Sequence, residues 1–388
     1  MNRHELRATG SLAAVFSLRL LGLFMIYPVF EAYARNLSGA TPYLIGEALG
    51  IYGLTQGLLQ IPFGLLSDRL GRKSIIVFGL LLFAVGSAVA AMSTSISGVI
   101  LGRALQGAGA VGSVILALAA DLTGEQNRTK AMALIGISIG ASFMLALIAG
   151  PLVGPLIGVN GIFWLMAVLA FAGIAVTLFV VPSPEGLRVQ AEAETVPALI
   201  GSVLRNVELV RLDIGIFALH AILTAMFLVV PGLLRDTLNI GPQNDWIVYV
   251  AVLVVSVLPM GPAIVLGEKY ARMNFIFVTA VLVLVVSQGL LYFGAGNWIV
   301  LPVGLTVFFA AFNILEASLP SLISKMAPSG TKGTAMGLYS SLQFLGIFAG
   351  GALGGWANQH AGSNGVFAVT AALALVWLAA ATIRRPAV

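Results

Sequence analysis

Long apolar runs separated by short polar breaks set the rhythm of this chain. A helix needs about 20 mostly apolar residues to cross a hydrocarbon layer about 30 Å thick. Runs of that kind fall near 12–34, 43–66, 74–92, 97–120, 130–156 and 161–181, and again near 210–233, 245–267, 274–294, 298–323, 333–357 and 364–383. The pattern predicts an all-α integral membrane protein with twelve transmembrane helices. The longest polar interruption, Pro182 to Glu208, holds Glu185, Arg188, Glu192, Glu194 and Arg205. It is read as a linker, 182–208, between a six-helix bundle over 1–181 and another over 209–388.

Composition agrees with that reading. Apolar residues fill 59% of 388 positions, charged residues only 9%, and mean hydropathy is +1.02. A soluble domain carries roughly a quarter charged residues. This chain has too few for a water-facing surface, so a lipid bilayer must be its solvent. A pI near 9.6 does not point to nucleic acid, because the cations sit singly or in twos and threes between apolar runs. They read as topology signals. With the N-terminus cytoplasmic, that side receives sixteen Lys and Arg, the opposite side only Arg35 and Arg235, and Arg19 and Arg103 remain inside helices. Both termini are therefore expected in the cytoplasm.

There are no cysteines, and His4, His220 and His360 are far apart. No disulfide, metal site or cofactor is expected, and no phosphate-binding loop is present to drive an ATP-powered pump. No nucleophile-elbow or metalloprotease signature suggests an enzyme. The first apolar run lacks a small-residue cleavage pattern and reads as a retained helix.

A short internal repeat supports the division. Lys130-Ala131-Met132-Ala133-Leu134, opening the fifth span, reappears as Gly333-Thr334-Ala335-Met336-Gly337-Leu338, opening the eleventh. Parallel halves of this kind are a known transporter plan, with substrate bound near the midplane between them. Glycine-rich stretches in both spans suit close helix packing.

The segment with the most ordered chemistry is Gly64-Leu65-Leu66-Ser67-Asp68-Arg69-Leu70-Gly71-Arg72-Lys73, between the second and third spans. Gly64 permits close packing and Gly71 a reversed turn. Asp68 falls at a helix C-terminus, where the macrodipole disfavours a carboxylate. Its compensation comes either from Arg72 and Lys73 or from the positive N-terminus of a neighbouring helix. An ordinary positive-inside loop would need the cations but not the ordered glycines and aspartate.

This loop resembles the signature of the major facilitator superfamily. Leu101-Gly102-Arg103-Ala104-Leu105-Gln106-Gly107-Ala108-Gly109 is similar to the pattern of its drug:proton antiporters. So is Gly150-Pro151-Leu152-Val153-Gly154-Pro155, where Pro155 stands in place of the usual closing glycine. Finer matches resemble YajR-type transporters: Phe16-Ser17-Leu18-Arg19, Asp121 followed by Gln126-Asn127-Arg128-Thr129-Lys130-Ala131-Met132, and Phe312-Asn313-Ile314-Leu315-Glu316-Ala317. Such chains can carry a small soluble domain after the last span. This sequence stops at Val388, a departure from that pattern, and no regulatory role of such a domain is expected. The resemblance also implies a latch, with Asp68 meeting the start of the eleventh span near Thr331 to Thr334 and Arg72 pairing with Asp121. The second-half counterpart, Gly267-Glu268-Lys269-Tyr270-Ala271-Arg272, is degenerate.

Charges inside hydrocarbon are costly and usually functional. Arg103 needs a partner, and Glu31 lies at a matching depth; the two read as a static pair holding helices or as a coupling pair. Arg19, His220 and Glu316 share a second depth and are further proton-coupling candidates, with Glu316 the leading carrier. Burial favours a neutral carboxyl and a nearby cation an ionised one, so local geometry can switch its proton. For His220 the plainer reading is a hydrogen bond to a carbonyl. Tyr27, Tyr52, Phe227, Phe309 and Phe312 are candidate lining for an apolar or cationic ligand. Gln56 and Asn313 add polar groups, because buried amides need partners.

The expected protein is a monomeric, proton-coupled antiporter of the bacterial inner membrane, exporting a small drug-like compound by alternating access. Its expected partners are that substrate, protons and lipid. Proton symport or facilitated uptake of a nutrient is the alternative, and a membrane receptor or enzyme a more distant one. Asp68→Asn is expected to abolish flux in proteoliposomes while leaving membrane insertion intact. Normal flux through that variant removes the latch.

Overall fold

The computed structural model describes residues 1–183, 196–241, 244–270, 272–328 and 331–382. The middle of the expected linker, with Glu185, Arg188, Glu192 and Glu194, lies outside the described residues, as do Arg384 and Arg385. The chain divides into two compact units, Met1–Ala40 with Ile51–Ala193, and Thr41–Gly50 with Glu194–Val388.

The helices in chain order are α1 (Arg3–Met25), α2 (Phe30–Ala34), α3 (Pro42–Leu70), α4 (Arg72–Met92), α5 (Ile96–Ala108), α6 (Gly112–Asp121) and α7 (Glu125–Phe179). They continue as α8 (Val196–Arg205), α9 (Val207–Met226), α10 (Val230–Leu238), α11 (Asp245–Val257), α12 (Met260–Lys269), α13 (Met273–Gly294), α14 (Val300–Met326) and α15 (Lys332–Thr382). Among the described residues, ten helical stretches are long and apolar enough to cross a membrane. Large apolar side chains such as Leu156, Phe179 and Phe293 face outward, as a lipid-facing surface requires.

Several boundaries differ from the apolar runs, each for a local reason. α1 begins at Arg3, well before the run starting near residue 12. Asn2 accepts from the Glu5 amide and the Glu5 side chain accepts from the Asn2 amide, a reciprocal cap that polar residues can build outside the hydrophobic stretch. The expected first and seventh spans break before α2 and α10, where Pro28 and Pro231 recur 203 residues apart (28 to 231). The fourth span breaks between α5 and α6 at Gly109–Val111. At 55 and 51 residues, α7 and α15 far exceed one crossing, and each holds non-helical backbone, at Gly158 (φ 69°) in α7 and at Ala361 and Gly362 in α15.

Each unit is built on a parallel helix pair that meets backbone to backbone. In the first, a Cβ placed on Gly150 would lie 2.2 Å from the Met25 carbonyl, and one on Gly154 3.2 Å from Val29. In the second, Gly346, Gly350 and Gly354 lie against Phe217, Ala221 and Ala225 at one constant offset, so α15 and α9 run in the same direction. Small residues are needed here because lipid supplies no hydrophobic drive between helices, leaving close packing to hold them. The second unit also takes in Thr41–Gly50 of α3, where a Cβ on Gly46 would meet the Gly351 carbonyl at 2.2 Å.

Gly350→Ala puts a methyl 2.1 Å from the Ala221 carbonyl and is expected to cost about 1–3 kcal/mol by overpacking. Gly136→Ala, with open space around it, is expected to leave stability unchanged or raise it by up to about 1 kcal/mol. Thermal unfolding in detergent, followed by tryptophan fluorescence, checks both; equal melting temperatures refute the packing argument.

Candidate functional site

The signature loop closes on one guanidinium. Arg72, the first residue of α4, reaches Asp68 Oδ1 at 2.6 Å, Asp121 Oδ2 at 3.1 Å and Ser67 Oγ at 2.7 Å. It thereby ties together the ends of α3, α4 and α6. A planar fork can hold several acceptors at once, which a lysine ammonium cannot reproduce. Gly71 lies at φ 91°, in the region that favours glycine, and lets the chain reverse so that Arg72 points back. Lys73 instead donates to the Val181 carbonyl, and Arg69 is exposed. Gly64 has Ser113 Oγ 3.6 Å from where its Cβ would sit. Asp68 and Asp121 are 53% and 43% exposed, so each pair is worth at most about 1 kcal/mol. The cluster orients helix ends more than it stabilises the fold.

In the first unit a polar chain crosses apolar packing. Arg19, 1% exposed, donates to Gln56 Oε1 at 2.5 Å and to the Gly109 carbonyl at 3.1 Å. That carbonyl lies at the break between α5 and α6, so the helix interruption supplies an acceptor for a buried cation. Gln56 in turn donates to Gln60 and accepts from the Tyr52 hydroxyl. Arg103, also buried, donates to Gln106 Oε1 at 2.9 Å, and Gln106 donates to Ser87 at 2.7 Å. The Tyr52 ring lies 5.7 Å from the Arg19 guanidinium carbon and 5.1 Å from that of Arg103. Glu31 forms its ion pair with Arg35, one helical turn on, in place of the expected Arg103. The i, i+4 geometry of α2 makes that local pair the shorter reach. Tyr27 packs edge-on against Phe24.

In the second unit His220 of α9 and Glu316 of α14 come together. His220 Nδ1 contacts its own helix at the Ile216 carbonyl, 3.3 Å away, so Nδ1 carries the hydrogen and Nε2 is the acceptor. Gln343 Nε2 of α15 donates to His220 Nε2 at 2.9 Å and to Glu316 Oε1 at 3.2 Å. Glu316 Oε2 lies 3.9 Å from His220 Nε2, and the Glu316 side chain is 36% exposed. Both amide hydrogens of Gln343 are thus in use. A proton on His220 Nε2 would set donor against donor, and the amide would have to turn and present its oxygen. That oxygen suits a protonated Glu316 and opposes an ionised one, so one amide links the two proton sites.

Aromatic packing continues from His220. Phe312 lies 5.8 Å from its ring and 6.2 Å from Phe309, while Phe227 stacks on Tyr249 at 6.4 Å. Phe227, Phe309, Phe308, Tyr249, Leu223 and Met226 line a small apolar cavity in this unit. Asn313 donates to Ser256 Oγ at 3.2 Å.

Sequence reasoning missed the linking amides Gln60, Gln106 and Gln343. Each is uncharged and unremarked by hydropathy, and their signal was the rarity of amides inside spans. It also passed over Asp213 and Tyr339, both buried.

Ten helical stretches able to cross a membrane, with polar networks inside their bundles, define a polytopic membrane protein. The profile of the Major Facilitator Superfamily matches residues 12–351, and the chain belongs to that superfamily. It is 48% identical over 387 residues to the inner membrane transport protein YajR of Escherichia coli, covering 100% of this chain and 85% of that one. It is 26% identical over 358 residues to multidrug resistance protein MdtH of Aeromonas salmonicida, covering 89% and 86%. Its fold matches the human organic anion transporter MFSD10 with a TM-score of 0.71 at 20% identity, over 98% of this chain and 100% of that one. The protein is an inner-membrane transporter and not an enzyme.

Selective 15N labelling resolves the histidines by NMR, since the chain has only three. The Nδ1–H tautomer is expected at His220, and Gln343→Leu should shift its Nε2 resonance by removing the donor. An Nε2–H tautomer in the unsubstituted protein contradicts the hydrogen-bond assignment.

Proposed function

We propose that this transporter is a proton-coupled antiporter that exports a small organic, drug-like compound by alternating access. The observation that carries the reading is the Gln343 amide held between His220 and Glu316, two groups able to exchange protons within one hydrogen-bonded network. Glu316 is the proton carrier and His220 its linked neighbour. Arg19, Arg103 and Glu31 act in coupling from the first unit. The names of relatives lend support: MdtH is a multidrug resistance protein and YajR an inner membrane transport protein.

Counting α7 and α15 as two crossings each, divided at Gly158 and at Ala361–Gly362, turns ten apolar stretches into twelve. The sixteen-to-two distribution of Lys and Arg supports cytoplasmic termini. The bundles are 1–181 and 209–388, joined by 182–208, and the transporter works as a monomer. Asp68, Arg72 and Asp121, with Gly64, Arg69, Gly71 and Lys73, form the latch that favours one conformation. Tyr27, Tyr52, Gln56, Phe227, Phe309, Phe312 and Asn313 contact substrate, and their aromatic faces suit a lipophilic compound, with or without positive charge.

Proteoliposomes with an imposed pH gradient and a panel of lipophilic cations, neutral antibiotics and sugars test this. Counterflow of protons with one lipophilic class is expected, and Glu316→Gln should retain ligand binding while losing the pH-driven flux. Proton flow in the same direction as the ligand, or flux indifferent to the gradient, overturns the antiport reading.

A further inference from the structure

At the start of α1 one carboxylate caps two helices. Asn2 is the cap of α1, Glu5 stands three residues on, and Glu5 Oε2 accepts from the Asn2 backbone amide at 2.9 Å. The other oxygen, Oε1, accepts from the Gly124 backbone amide, also at 2.9 Å. Gly124 is the cap of α7 and has no side chain to share in the task. Three residues on in α7 is Asn127, whose side-chain amide donates to Glu5 Oε2 at 2.9 Å. In an ordinary capping box the acid three residues into the helix takes the amide of the cap residue. Glu5 does this for its own helix and, from 119 residues away, for α7. Two positive helix ends meet on it, and each favours an anion. Glu5 is 8% exposed.

The second of these caps falls on the turn that carries a latch carboxylate. α6 ends at Asp121 and α7 begins at Glu125, so Leu122, Thr123 and Gly124 turn the chain. Leu122 and Thr123 bond back to the Leu118 and Ala119 carbonyls, and the Gly124 carbonyl accepts from the amides of Asn127 and Arg128. Those bonds shape the turn between its own two helices. The Gly124 amide and the Asn127 side chain anchor it to a third helix, and both end on Glu5. Asp121, three residues before Gly124, meets Arg72 Nε at 3.1 Å and is 43% exposed. A pair that exposed is too weak to set its own geometry, so the backbone must deliver the carboxylate to Arg72.

With Asp68, Arg72 and Asp121 read as the latch, we propose that Glu5 is its positioning residue, a role that rests on that reading. Glu5 fixes the α6–α7 turn so that Asp121 meets Arg72, and it joins α1 to the cluster. α1 also carries Arg19, about 21 Å further along the helix axis. A shift of α1 therefore reaches Asp121 through Glu5. Glutamine cannot replace the carboxylate, because three donors converge on its two oxygens. A glutamine has one acceptor oxygen, and its NH2 would face either the Gly124 amide or those of Asn2 and Asn127.

Arginine 15N NMR of the full chain in detergent, without any ligand, reads the Arg72 Nε–H that donates to Asp121 Oδ2, with Arg72→Lys assigning the resonance. Asp121→Ala is expected to speed exchange of that hydrogen with water on the order of tenfold, the scale of one lost bond to a charged group. Glu5→Gln should speed it similarly although Asp121 is intact. Asn127→Ala, a milder change that keeps Glu5, should move it in the same direction. Glu5→Gln combined with Asp121→Ala should exchange no faster than Asp121→Ala alone, since both changes remove one interaction. A merely structural Glu5 lowers the melting temperature and leaves the Arg72 Nε–H as it was. That result in Asn127→Ala, and in Glu5→Gln where it inserts, overturns the positioning role. Unchanged proteoliposome flux through Asp121→Ala instead overturns the latch beneath it.

Discussion

Inside hydrocarbon no water is available to satisfy a polar group, so a buried donor, acceptor or charge left without a partner in the bundle is costly. This constraint explains why the buried polar networks here run through amides. Gln56 and Gln106 receive Arg19 and Arg103, while Gln343 spans His220 and Glu316. An amide can donate or accept and can exchange those roles by turning. It can satisfy a neighbour in more than one protonation state, which an apolar or charged residue in its place cannot do.

The two units meet the constraint differently. The first buries two guanidiniums around the Tyr52 ring, with bonds to an amide and to a carbonyl freed by a break in the helix. The second buries carboxyls and an imidazole, groups that change charge by gaining or losing a proton. Both units rest on parallel helices in glycine contact, a rigid base from which side chains can be positioned.

Apolar run length made the membrane class and the helical architecture legible, because a span must satisfy its backbone alone. The Asp68–Arg72 pairing was legible too, since its glycines and charges occur in a fixed order within a short segment, whereas Asp121 as a partner of Arg72 came only from the family resemblance. What sequence could not supply was pairing across elements. Glu31 matches Arg103 in depth, yet the i, i+4 geometry gives it to Arg35. His220 was read as a carbonyl-bonded histidine. It makes that contact with Ile216 and, through its other nitrogen, a second one to Gln343. Asp213 drew no notice in the sequence, and only the fold shows it as buried.

The central claim is that one amide links the protons of His220 and Glu316. A single NMR titration of protein carrying 15N-histidine and 13C-carboxyl glutamate reads both groups in one sample. Linked sites predict that the His220 ring and Glu316 carboxyl resonances move together over one narrow pH interval, and that Gln343→Leu separates them. Independent movement at well-separated pH values in the unsubstituted protein would contradict the account.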